Sequence, residues 1–456
     1  MLLDMQLTVF GRSEVSKIGF KDFLKGVWQR LFPLKDIKTA LNIKVAMSPE
    51  MLENIEQWYN CYCGNASWVK DKIFSLQLEQ AITREFSNVV LSEMTANVTN
   101  TSLNKIFQKS IRDLNLHLQK GLATGSMIIK PLGGTSVQCV GANAFIPIEY
   151  NSEGRLLKAV FPDFKKLGDK YYTRLEFHDL DPVKGLTITN RAFISTSQSQ
   201  LGREIPLTDV EEWENLEAKI SYPKMLKPAF AYYKNPINNT IDGSHCGMSI
   251  FASALPIIQM ADVQFGRLDW EFESGERRIN VDITALQKDD KGKPILKDKI
   301  FRGVDVENLC DDFTPQIRES NYINGLNEYK RNIEFEVGLS YGDISNPAAV
   351  EKTAEEIKTT KNRKYNTVKA IQNNLKDCLE DLVYALAFYN SMATQPYEFK
   401  CDFKDSILTD EDKERQRDIQ DLNLGILKPE EYRAKHYNET IEQARANLPK
   451  SVDLVE

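Results

Sequence analysis

The sequence predicts an α+β chain that is mainly helical, and three observations carry that prediction. No glycine occurs between Gly342 and Gly425, and no proline between Pro347 and Pro396. Residues 126–195 instead hold short β-branched or aromatic runs separated by turn residues. Between those regions, two helix-period segments, 249–274 and 318–337, enclose a strand-like stretch. Helix breakers are the strongest local punctuation, so their long absence specifies one helix. Short runs bounded by Gly, Asn and Ser specify strands.

Each element follows in order. Phe20, Phe23, Leu24, Val27 and Leu31, flanked by Lys21, Lys25 and Arg30, make an amphipathic helix. Such a helix is expected to dock on its own protein rather than lie on a membrane surface. Ser48-Pro49 is an N-cap followed by proline in the first turn, and the helix continues through Met51, Ile55 and Trp58. Further helices are expected over 75–98 and 103–120, with Gly121 as the stop. A β-meander follows over 126–131, 137–140, 144–150, 156–161, 171–178 and 186–195. Roughly 35 looser residues lead to the next helix. Ile250, Leu255, Ile258, Val263, Leu268 and Phe272 mark it over 249–274, with Pro256 delaying its start and Gly275 ending it. Runs 277–286 and 299–304 flank a polar hairpin tip at 288–292. A helix over 318–337 is broken by Gly338, Gly342 and Asn346-Pro347.

Then comes the long helix. Ile357, Tyr365, Val368, Ile371, Leu375, Leu379, Leu382, Leu386 and Tyr389 keep returning at intervals of three or four. Some 40 helical residues reach on the order of 60 Å, which suits a strut crossing between domains or subunits. The tail from Glu398 reads as two short helices around a corner at Gly425–Tyr432.

Composition narrows the function. The 456 residues suit two to four structural units, and the net charge is −7. An acidic chain does not grip nucleic acid over its whole surface, since phosphate binding calls for a basic surplus. The seven cysteines are an odd number and scattered, which suits a reducing compartment. Cys61-Tyr-Cys63 alone is a weak metal signal, and the histidines (His117, His178, His245, His436) are far apart in sequence. No apolar run reaches the roughly 18 residues of a membrane span. There is no GxxxxGK[ST], HExxH, GxSxG or GxGxxG. Asp289-Asp290 and Asp311-Asp312 are read as solvated charge rather than a magnesium site. No catalytic residue, metal ligand or cofactor is therefore expected.

Several segments, taken in order, resemble one family. These are Asn235-Pro-Ile-Asn-Asn-Thr-Ile-Asp242 leading into Gly247-Met-Ser-Ile-Phe-Ala-Ser-Ala254, then Gly275-Glu-Arg-Arg-Ile-Asn-Val281, then Lys352-Thr-Ala-Glu-Glu-Ile357 with Tyr365-Asn-Thr-Val368. Gly425-Ile-Leu-Lys-Pro-Glu-Glu-Tyr432 and His436-Tyr437 close the series. Together they resemble the portal proteins of tailed bacteriophages, in the branch common among phages of Gram-positive bacteria.

The resemblance implies a portal fold with wing, stem, clip and crown. The wing falls on 1–248, the stem helices on 249–274 and 318–337, and the clip on 275–317. A channel loop falls on 338–352, a long helix joining wing to crown on 353–395, and a C-terminal wing or crown segment on 396–456. It also implies a non-enzymatic ring of about twelve subunits at one capsid vertex of the virion, assembled in the host bacterial cytoplasm. Double-stranded DNA would pass through its channel during packaging and ejection. Partners would be the terminase large subunit, a head–tail connector or adaptor, and major capsid and scaffolding proteins, with no membrane. Asp343, Asn346, Glu351 and Lys352 would face DNA. Arg277, Arg278, Lys288 and Lys291 would serve the clip's partners, with the Arg277-Arg278 pair the better suited to carboxylates. The alternative is another head–tail connector or capsid-associated ring protein, against which the length argues.

Overall fold

The computed structural model describes residues 34–70, 72–223, 225–276, 278–282, 301–304, 310–313, 315–347, 354–403, 411–437 and 439–448. The expected N-terminal amphipathic helix lies outside them. Helix α1 spans Leu34–Leu41, α2 Pro49–Tyr62 and α3 Leu78–Leu91. α2 begins as the sequence requires: the Ser48 hydroxyl accepts from the Met51 amide at 3.0 Å. Its Met51, Ile55, Trp58 and Cys61 form the buried stripe.

The next elements depart from expectation. α3 stops at Leu91, and the chain turns into strand β1, Met94–Val98, where Ala96 and Val98 are buried. Its antiparallel partner is β14, Phe399–Phe403, with Met94 opposite Phe403. The helix expected over 103–120 is two helices, α4 Thr101–Ser110 and α5 Leu114–Thr124. Gly121 does not end it. It is buried within α5 against Met127, and the stop is Gly125 at φ +92°.

The meander divides into two sheets. β2 (Ser126–Gly133) pairs with β3 (Ser136–Gly141) on one side and β10 (Ala231–Lys234) on the other. A 3₁₀ turn at Ala142–Ala144 then carries the chain into the second sheet. There β4 (Ile146–Tyr150), β5 (Leu156–Leu167), β6 (Lys170–Asp181), β7 (Gly185–Ser195) and β8 (Arg203–Ile205) lie in order, and β9 (Lys219–Tyr222) also pairs with β7. A buried ionic cluster joins the sheets. Lys130 of β2 holds both carboxylate oxygens of Glu176 of β6 at 2.8 Å, and Arg174 and His178 share that carboxylate. Against the pull of burial, Lys130 foremost keeps Glu176 well below the usual carboxylate range.

Helix α6 covers Leu255–Ser274, with Pro256 in its first turn, so the start is six residues later than the sequence segment suggested. After it, β11 (Arg278–Asp282) is the middle strand of a small sheet with β12 (Phe301–Val304) and β13 (Cys310–Phe313). β11 and β12 are parallel, which no tight hairpin can produce, so the expected tip-and-two-strands arrangement is wrong. β13 supplies the antiparallel partner and contains Asp311-Asp312. Helix α7, Glu319–Val337, returns alongside α6.

Helix α8 runs Ala354–Tyr389. It is the expected long helix in a different setting. Val368, Ile371, Leu375, Cys378, Leu379, Leu382 and Leu386 are fully buried in the main core, packed against β2, β10, α3 and α4. Over its second half it is the centre of one body rather than a strut between bodies. Among the described residues the tail forms three helices where two were expected: α9 Glu411–Asn423, α10 Pro429–Tyr437 and α11 Ile441–Ala446. The third begins with a Thr440–Gln443 capping box. Among the described residues, no helix is long and apolar enough to cross a membrane.

Candidate functional site: the helical hairpin and the loop at its root

α6 and α7 form a hairpin that leaves the core at Leu255 and returns at Val337, with the three-stranded sheet between them in sequence. Close packing fixes its root. Gly266 of α6 lies so near the Lys72 carbonyl that a methyl group would collide with it. The buried Asp262 accepts from the Trp68 indole and the Leu76 amide, both at 2.8 Å. Burial raises its carboxyl above the ordinary value, against these bonds. Beside it Glu79 is buried with neither carboxyl oxygen hydrogen-bonded, and burial pushes it up to about 8, Asp262 adding to the effect.

The quoted Asn235 and Gly247 segments make the joint just ahead of the hairpin. The Asn235 amide side chain donates to the carbonyls of Leu122 and Met248 at 2.9 and 2.8 Å. Gly125 and Gly247 meet backbone to backbone, leaving no room for a Cβ on either. These residues hold the hairpin's base to the end of α5. At the far end, Arg318 donates to Glu271 from its backbone at 3.1 Å and from its guanidinium at 3.0 and 2.9 Å, clasping the two helices. Between root and clasp the hairpin exposes Met260, Trp270, Phe272, Ile323 and Phe335, with Trp270 54% and Phe335 56% accessible. Large apolar side chains repeated along one slender element are surface that wants covering.

The loop after α7 is not the loosely held connector that its breakers suggested. Gly338 closes α7 at φ +82°. Glu334, fully buried, then accepts from the amides of Gly342, Ile344 and Ser345 at 3.0, 2.7 and 2.8 Å and from the Ser345 hydroxyl at 2.7 Å. One carboxylate thus dictates the path of the turn.

The residues expected to face DNA are placed as follows. Asp343 caps the Ser340 amide at 2.9 Å and pairs with Lys364 at 3.0 Å, which also pairs with Glu85 at 2.8 Å. Burial opposes the charge on Lys364, yet Glu85 and Asp343 raise it above the ordinary lysine value. Asn346 is exposed, its backbone amide bound to Asn327 at 2.7 Å. Glu351 and Lys352 lie outside the described residues. So do Arg277, Lys288 and Lys291; Arg278 opens β11.

Two features went unread in the sequence. A half-open cleft of about 690 Å³ separates α2, segment 236–256 and the ends of α7 and α8, with Trp58, Trp68, Ile241, Val337 and Arg363 among its walls. At its rim the Arg363 guanidinium stacks on Phe335 at 4.6 Å and on Tyr341 at 5.3 Å, and Arg331 stacks on Tyr341 at 5.2 Å. The basic run Lys361-Asn-Arg363-Lys364 was the available signal, hidden by reading it as part of the strut.

Cys61 is buried, which drives its thiol up and away from the thiolate a metal requires. Among the described residues no three His, Cys, Asp or Glu side chains are grouped to hold a metal. No family model and no curated protein matches the chain.

Proposed function

We propose that this chain is a structural portal subunit. It would close into a ring of about twelve copies that conducts double-stranded DNA at one capsid vertex. The observation that carries the reading is the α6–α7 hairpin, an excursion with a small sheet between its helices in sequence that exposes Met260, Trp270, Phe272, Ile323 and Phe335 among the described residues. A head-to-tail contact between copies covers such a flank and, where the rotation closes, makes a ring. The ordered resemblance of the Asn235–Ala254, Gly275–Val281 and Gly425–Tyr437 segments gives that ring its identity. On this reading α6 and α7 are the stem, the β11–β13 sheet is the clip where terminase and connector dock, and the body around α8 is the wing. Capsid and scaffolding proteins would meet the ring from outside.

The test is direct. Native mass spectrometry and electron microscopy of the purified chain should show a closed ring with a central hole wide enough for a duplex. Only monomer or dimer at micromolar concentration would overturn the proposal.

A further inference from the structure

The loop after α7 carries a guanidinium arrangement that the ring reading alone does not account for. Arg331 and Arg363 both stack on the Tyr341 ring, and Arg363 also stacks on Phe335. Each guanidinium has five N–H donors. Among the described residues, Arg331 donates to Glu328 at 3.2 Å and Arg363 to the Phe335 carbonyl at 3.4 Å. These contacts hold both guanidiniums in place, and each side chain stays partly exposed. Holding an arginine by its face rather than its edge reduces the entropy lost when the edge takes a ligand. Of the described acidic side chains here, Glu328 pairs with Arg331 at 3.2 Å, while Glu334 lies in the turn and Asp343 on Lys364. Glu336 lines the adjoining cleft and limits the local positive charge.

Planar, partly exposed guanidiniums on one aromatic ring suit the oxygens of phosphodiesters. Resting on the portal reading, we infer that Arg331 and Arg363 contact the phosphate backbone of the duplex as it passes the ring. They replace Asp343, which is spent internally, as the loop's electrostatic contact. Two cations per subunit in an acidic protein give attraction enough to centre the duplex while leaving it free to slide.

The experiment uses assembled rings and a 30-base-pair duplex, with binding followed by anisotropy from 50 to 200 mM NaCl. In R331Q/R363Q rings the slope of log K against log salt should become shallower by about 2 or more, one for each lost contact at a single subunit. An unchanged slope in intact variant rings overturns the inference and leaves the portal reading standing. Failure of the wild-type chain to form rings overturns the portal reading itself. Should the double variant not assemble, arginine modification by phenylglyoxal on wild-type rings decides the matter. Duplex should shield Arg331 and Arg363 while equimolar inorganic phosphate does not; shielding by phosphate without shielding by duplex means an adventitious ion only and overturns the inference.

Discussion

Two buried glutamates at opposite sides of the hairpin's root show how differently one side chain serves a fold. Glu334, at the end of α7, meets four donors from a single turn. Glu79, at the start of α3, meets none, and its nearest acidic neighbour is the buried Asp262. The first organises backbone that would otherwise bury unpaired N–H groups. The second is tolerable only while it holds a proton. Burial alone therefore says nothing about a carboxyl's role; its donors decide.

The contrast is broken most severely at Glu334. Glu334→Ala leaves the Ile344 and Ser345 amides without an acceptor and Gly342 with only the Ser345 hydroxyl, so unfolding free energy should drop by about 4 kcal/mol. Hydrogen exchange at Gly342, Ile344 and Ser345 should quicken together. A loss confined to one amide would mean that the turn holds itself. Glu176 tests the intermediate case of a carboxylate held by cations. Lys130→Met removes its principal partner and should cost about 3 kcal/mol in denaturant melts, since a buried charge is left under-compensated. A neutral outcome would mean that Arg174 and His178 suffice.

The pH-dependent effect is the most diagnostic. Glu79 sits at about 8 in the folded chain against an ordinary 4.5, so the folded state keeps a proton that the unfolded state releases. Its contribution is whole below pH 4.5 and declines as pH rises to about 8, after which the loss is complete. Glu79→Gln has no such decline. Its advantage over the wild type should grow from near zero at pH 4.5 to several kcal/mol at pH 8.5. A gap that stays constant with pH would show that Glu79 is charged throughout.

Local chemistry was legible where it decided the structure. The Ser48 cap, Pro256 in a first turn, Gly338 as a stop and the Val368–Leu386 stripe were all readable, because caps, breakers and periodicity act within a few residues. What was lost depends on distant partners. Met94–Val98 extends a helical pattern until Phe399–Phe403 arrives to pair with it. Gly121 looked like a stop because nothing nearby in sequence reveals that Met127 needs the space. The small sheet likewise includes β13, a polar run with no strand signature that pairs antiparallel with β11. At the site, Glu334 reads as one more acidic residue on a helix. Arg331 and Arg363 become a pair only when Tyr341 is folded between the helices that carry them.

The position of α8 in the core has a consequence for how the chain is born. Its buried residues and β14 lie past residue 360, yet they complete a core begun by α2, α3 and β2. Val98 therefore waits for Phe399, and at about 5–20 residues per second that delay is roughly 15–60 s of synthesis. In its last part, from Val337 to Phe399, the hairpin is already made while the body that anchors it is still open. Newly made subunits would meet one another, or a chaperone, with that flank bare, and the order of translation then becomes part of the assembly pathway.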